Sequence, residues 1–282
     1  MKYDFKRDWT EYVKNELTAF GYSYDKSKSL TINSERLFNL RRRIPSTKPR
    51  EIIRSKEFSC PAENQVGLKK LESEIKNGKD IRYYLSKGIT NLDYNDKTLD
   101  EWGIHHLHLG TVLEKKFVKR TKNVVFVIFL DSQAVFLTTL AHGKGHSDVW
   151  VNTTLIEIVH NNWPEIIEHL KMGSASGSLT PNERINLRKI NTNVSVTISD
   201  GTCYCAPGGG FMSNGTAIAD FNALQKVYRD LDYFEKLVTQ EKAQIENKLN
   251  QYTPDIFLGL DFKNVHDPEL YEKNSGVKIN LE

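Results

Sequence analysis

Five of the eight histidines fall between Trp102 and His146: His105, His106, His108, His142 and His146. Alternate residues of a strand share a face, so within WGIHHLHLG the His106 and His108 side chains point together with Ile104, while His105 joins Leu107 and Leu109. His105 therefore reads as a buried, hydrogen-bonded core histidine. His142 and His146 sit in HGKGH, whose glycines let a chain approach a substrate closely. Convergent imidazoles would support three readings. The first is metal-free phosphodiester cleavage, with one neutral imidazole taking the ribose 2′-OH proton and another protonating the leaving 5′-oxygen. Here His106 and His108 form the acid/base pair, Arg120 clamps the phosphate, and His142, Lys144 and His146 add phosphate or leaving-group contacts. The second is a divalent-metal hydrolase using His106, His108, His142 or His146, with Asp148 as a further candidate ligand. No carboxylate lies inside IHHLHLG and no HExxH is present, so the site is expected to hold neither metal nor cofactor. The third is structural, with histidines that simply pack and bond within a sheet.

Two further segments bear on phosphate. CAPGGGFMSNGT at 205–216 places Gly208, Gly209 and Gly210 before a helix, where backbone N–H groups can meet a phosphate. It lacks the Gly-Lys-Ser/Thr of a Walker A loop, and a tight turn needing positive φ explains it equally well. Between Lys26 and Lys56 there are ten Lys/Arg against two acids. Arg41, Arg42, Arg43, Lys48, Arg50 and Arg54 are the nucleic-acid-binding candidates of this stretch, by counterion release, beside the alternative of a solvated face. Trp102, Trp150 and Trp163 flank the histidines and either pack in the core or stack on bases. Cys203 and Cys205 read as small strand residues.

Positioning these groups requires an α+β fold with a central, mainly antiparallel sheet, N-terminal helices, a β-hairpin and a long C-terminal helix. Trp9, Tyr12, Val13, Leu17 and Phe20 recur at helical spacing before Gly21. Leu37, Leu40 and Ile44 suggest a short helix ending before Pro45. Residues 45–61 then read as an extended connector, Val66–Ile75 as a helix closed at Gly78, and Ile81–Leu85 as a short third. From Trp102 three β runs follow, WGIHHLHLG, NVVFVIFL and QAVFLTTLAHG; the middle one, apolar on both faces, belongs inside a sheet. Val151–His169 predicts a helix interrupted at Pro164. GSASGS at 173–178 is a linker candidate, Thr180-Pro181-Asn182-Glu183 a capping box, Val194–Cys205 a hairpin turning at Asp200-Gly201, and 220–252 one long helix. The tail from Pro254 shows no strong periodicity. The expected divisions are a basic helical region at 1–100, a His-rich sheet at 101–172 joined to it as one domain, and a hairpin and long helix at 179–282.

The 282 residues carry 39 Lys+Arg and 36 Asp+Glu, with 39% hydrophobic residues. That apolar fraction supports a core and excludes general disorder. The longest apolar run, Val124–Leu130, is far too short to cross a bilayer, and the N-terminus has no signal-peptide core. Three cysteines make no disulfide framework. A cytoplasmic protein with no membrane partner is expected.

From Asp100 to Pro164 the order of a helical lead-in, WGIHHLHLG, the basic EKKFVKRTK, VVFVIFL, AVFLTTLAHG and a helix ending in NNWPE resembles the RelE-like toxin ribonucleases and their barnase-like and colicin-like relatives. The resemblance implies a metal-independent endoribonuclease of toxin or anti-phage type, with RNA as partner and a protein antitoxin or inhibitor. The regions outside 100–164 could then extend an RNA groove, hold the inhibitor or form a homodimer through the long helix. Two alternatives from other classes stay open: a non-catalytic nucleic-acid-binding or regulatory protein, and the divalent-metal nuclease.

Overall fold

The strand Asn123–Phe129 explains most of the architecture, because its Val124, Val125, Phe126 and Val127 are all fully buried and need apolar cover on both faces. The computed structural model describes residues 1–175, 177–250, 252–253 and 255–279. In chain order the first half contains β1 (Lys2–Tyr3), α1 (Phe5–Ala19), α2 (Leu30–Arg43), β2 (Glu51–Arg54), α3 (Gln65–Lys76), α4 (Lys97–Trp102) and β3 (His105–His108). There follow β4 (Leu113–Glu114), β5 (Phe117–Val118), β6 (Asn123–Phe129), β7 (Gln133–Ala141), α5 (Thr154–Asn162) and β8 (Lys171–Ser174). The chain continues through α6 (Pro181–Lys189), β9 (Val196–Thr197), β10 (Thr202–Tyr204), α7 (Ile218–Gln240), α8 (Lys242–Leu249), β11 (Phe257–Asp261) and β12 (Glu269–Glu272). The fold class is α+β.

The chain forms two compact units, one of residues 39–219 and one joining 1–38 to 220–282. This division falls elsewhere than at the GSASGS segment, and it pairs the first helix with the last elements of the sequence. In the 39–219 unit the main sheet has the order β2-β7-β6-β3. β7 and β3 run antiparallel to β6, and β2 is parallel to β7. Leu155, Ile156, Ile158 and Val159 of α5 pack in one core with Phe126, Val135 and Leu137 of the sheet. As its proline predicts, the helical stretch after α5 breaks at Pro164 into 3₁₀ turns.

Three expectations change. The 45–61 connector contains β2, whose register Glu51↔Gln133 to Arg54↔Phe136 is set by the edge of β7 rather than by any strong local pattern. The GSASGS stretch is not wholly a linker: its first two residues close β8, which pairs with β10 across Cys203↔Gly173 and Thr202↔Ser174. The single long helix is two, α7 and α8, parting at Glu241. The Thr180–Glu183 capping box is present with both of its hydrogen bonds, and the hairpin of β9 and β10 turns at Asp200-Gly201 as read.

In the other unit Phe5, Trp9, Val13 and Leu17 form the fully buried stripe of α1. Trp9 stacks with Tyr12 and Phe38 and meets Phe262 edge-on. The aperiodic tail supplies β11 and β12, an antiparallel pair to which β1 adds in parallel. Among the described residues no helix is long and apolar enough to cross a membrane.

Candidate active site

Asp96 does two jobs at the entrance to the His-rich strand. Its Oδ1 accepts from the Thr98 and Leu99 N–H groups and so caps α4. Its Oδ2 lies 3.4 Å from His106 Nδ1. α4 ends at Gly103, whose φ of 71° turns the chain directly into β3. Strand periodicity then sets His106 and His108 on one face, opposite Phe126 and Val124 of β6, and turns His105 to the other. There His105 donates from Nε2 to the Arg42 carbonyl at 3.1 Å and meets the Phe129 ring edge-on, as its core reading requires.

β3 and β7 do not pair directly; both flank β6. His142, just beyond the end of β7, nevertheless reaches the His108 ring, with centroids 5.0 Å apart. The Trp150 ring closes the group, 4.6 Å from His106 and 5.7 Å from His142. His106, His108, His142, Arg120 and Trp150 line one pocket of about 560 Å³, together with Tyr94, Asp96, Lys97, Arg188 and Lys189. That volume suits a nucleotide-sized ligand.

Four of the six predicted catalytic residues are thus brought together. Lys144 and His146 are not among the lining residues; the HGKGH glycines carry Lys144 outward, and His146 starts the 3₁₀ turn Ser147–Val151. Gly208 and Gly210 serve close packing, and Gly209 a turn with φ of 89°. Their N–H groups bond to the carbonyls of Glu101, Ala206 and Asp100, so none faces a phosphate. A Cβ at Gly208 would lie 2.5 Å from the Gly103 nitrogen, which explains the glycine. The basic stretch is largely engaged internally. Arg42 bonds Asp100 at 2.6 Å, Arg43 bonds the Gly88 and Asn91 carbonyls, Arg50 those of Leu130 and Ser46, and Arg54 and Lys48 pair with Glu72 and Asp131. Arg41 is half-buried at the end of α2.

The site is electropositive and short of hydrogen-bond partners. Nδ1 of His106, Nδ1 of His108 and Nε2 of His142 are buried without one. The Thr121 backbone favours the protonated form of His142, against the larger opposing effects of burial and His106. Burial, then the nearby Arg120 cation, drives the His108 imidazole down to about 2, and burial and His106 lower His142. Burial also brings His105 down to about 4.

These depressed values couple to stability. Folded His105 and His108 refuse protons that the unfolded chain accepts below about 6.5, so stability is fully present above that pH and falls as pH drops towards 4. Between pH 6.5 and 5, above the carboxylate range, each should contribute a loss of about 2 kcal/mol. Urea unfolding across that interval measures it, and a pH-independent midpoint would contradict the burial of both rings.

Lys97, Arg188, Tyr94 and Asp96 were not legible as site residues from the sequence. The one available signal was the capping box at Thr180, which starts α6 and thereby sets Arg184 and Arg188 four apart on one helix face. Among the described residues no group of three or more His, Cys, Asp or Glu is arranged to hold a metal ion. Comparisons with protein-family models, curated proteins and solved structures find no match. The site's chemistry rests on its own residues.

Proposed function

We propose that this protein is a metal-independent endoribonuclease of toxin or anti-phage type, acting on RNA in the cytoplasm through this pocket. One observation carries the reading: two imidazoles of β3, the His142 imidazole and the Arg120 guanidinium, from three separate segments, line a single pocket with ring nitrogens left unpartnered. The acid/base pair is His106 and His142 rather than His106 and His108. His142 presents a bare Nε2 and is the base for the ribose 2′-OH. His106, with the Asp96 carboxylate 3.4 Å from its Nδ1, is the remaining imidazole on this face and protonates the leaving 5′-oxygen. Arg120 lies beside the neutral His108 and stabilises charge on the phosphorane. Trp150 offers a face for a base.

The reading is tested by incubating labelled single-stranded RNA, structured tRNA and matched DNA with the protein in EDTA. RNA alone should be cut, leaving 2′,3′-cyclic phosphate ends. Cleavage that appears only with added zinc or manganese would replace this reading with a metal-dependent nuclease. Salt-sensitive binding without cleavage would replace it with a nucleic-acid-binding module.

A further inference from the structure

Arg188 is the most constrained cation in the pocket wall. Its side chain is 6% exposed, and three features of its surroundings hold it. Nε bonds the fully buried Glu101 carboxylate, Nη1 bonds the Trp150 carbonyl, and the guanidinium lies 4.6 Å from the Trp102 ring centroid. Nη2 is buried with no partner. Glu101 is also bonded by Arg184 at 3.1 Å, so two buried guanidiniums share one carboxylate. The cluster carries an excess positive charge in a place where uncompensated charge is costly. The wall around Arg188 adds Lys97, Lys189 and Asn191.

Arg120 is a separate cation held by other elements, donating to the Leu85 carbonyl. It is the guanidinium among the principal charges acting on His108 and His142, whereas Arg188 is the one acting on Lys97. The pocket therefore has two cationic poles on different elements.

Resting on the ribonuclease reading, we propose that Arg188 recognises a second phosphate adjoining the scissile one. The substrate is accordingly an RNA segment with at least one phosphate beyond the linkage cut. The planar guanidinium suits this task, because two of its nitrogens are committed to the protein and the third, Nη2, is a buried donor with no protein partner.

Binding of uncleavable 2′-O-methyl dinucleotides in EDTA separates this proposal from the catalytic one. Three ligands are compared by calorimetry: one without a terminal phosphate, one with a 5′-phosphate and one with a 3′-phosphate. One phosphorylated form should bind at least about tenfold more tightly than the bare dinucleotide. Arg188→Lys keeps a positive charge beside Glu101 but cannot serve Glu101, the Trp150 carbonyl and a ligand at once. It should lose most of that preference while binding the bare dinucleotide as the wild type does. Equal affinity of the wild-type protein for all three ligands would overturn the proposal, whatever the cleavage assay shows. A phosphate preference without cleavage would uphold this subsite and remove the ribonuclease reading alone.

Discussion

Alanine in place of His142 is expected to lower RNA cleavage by about 10²–10⁴-fold, the usual worth of a positioned proton-transfer group. The ring is half-buried just beyond the end of β7, so the urea midpoint should move far less than the cleavage rate does. His106→Ala should show a loss of the same order. Because burial and His106 hold the His142 imidazole below its ordinary range, the acid limb of kcat/KM should lie below the usual histidine value of about 6.5. Asp96→Asn probes positioning: it should lower kcat with KM unchanged, since orientation of His106 matters most in the transition state. Full activity in His142→Ala would remove the proposed base. A variant that is inactive because it is unfolded would return the histidines to a structural role, and the urea curve distinguishes that case.

The largest stability effect should come from Glu101, which is wholly buried between Arg184 and Arg188. Glu101→Ala strands two guanidiniums with no carboxylate, at an expected cost of about 3–5 kcal/mol. Replacing all three by apolar residues, as Glu101→Leu with Arg184→Met and Arg188→Met, should recover much of that loss, because buried ion clusters often contribute little net stability over well-packed apolar side chains. Urea unfolding of the single and triple variants measures both steps. Near-wild-type stability of Glu101→Ala would mean that water reaches the cluster. The triple variant also removes Arg188 from the pocket, so the proposed phosphate preference should vanish even where folding is restored.

Much of the fold was legible because it rests on local signals. The stripe Phe5-Trp9-Val13-Leu17, the doubly apolar β6, the break at Pro164, the Thr180 capping box and the Asp200-Gly201 turn each follow from spacing within a few residues. The same is true of the split between His105 and the pair His106 and His108, which needs only the period of a strand. β2, β8 and β11 were missed because their pairing partners, β7, β10 and β12, and not their own short and weakly patterned segments, make them strands.

The sequence by itself determined that histidines of this chain lie on one strand and at the end of another, that two of them share a face, and that an α+β fold must carry them. Only the tertiary structure decided which of them meet. His142 joins His108 across an intervening strand, and Arg188 arrives from a helix some eighty residues further along the chain. It also decided that the triglycine and much of the basic stretch serve the protein's own interior. Charge and hydrogen-bonding capacity are properties of residues, but whether they are spent inside the fold or left facing a ligand depends on which carbonyls and carboxylates the chain brings beside them.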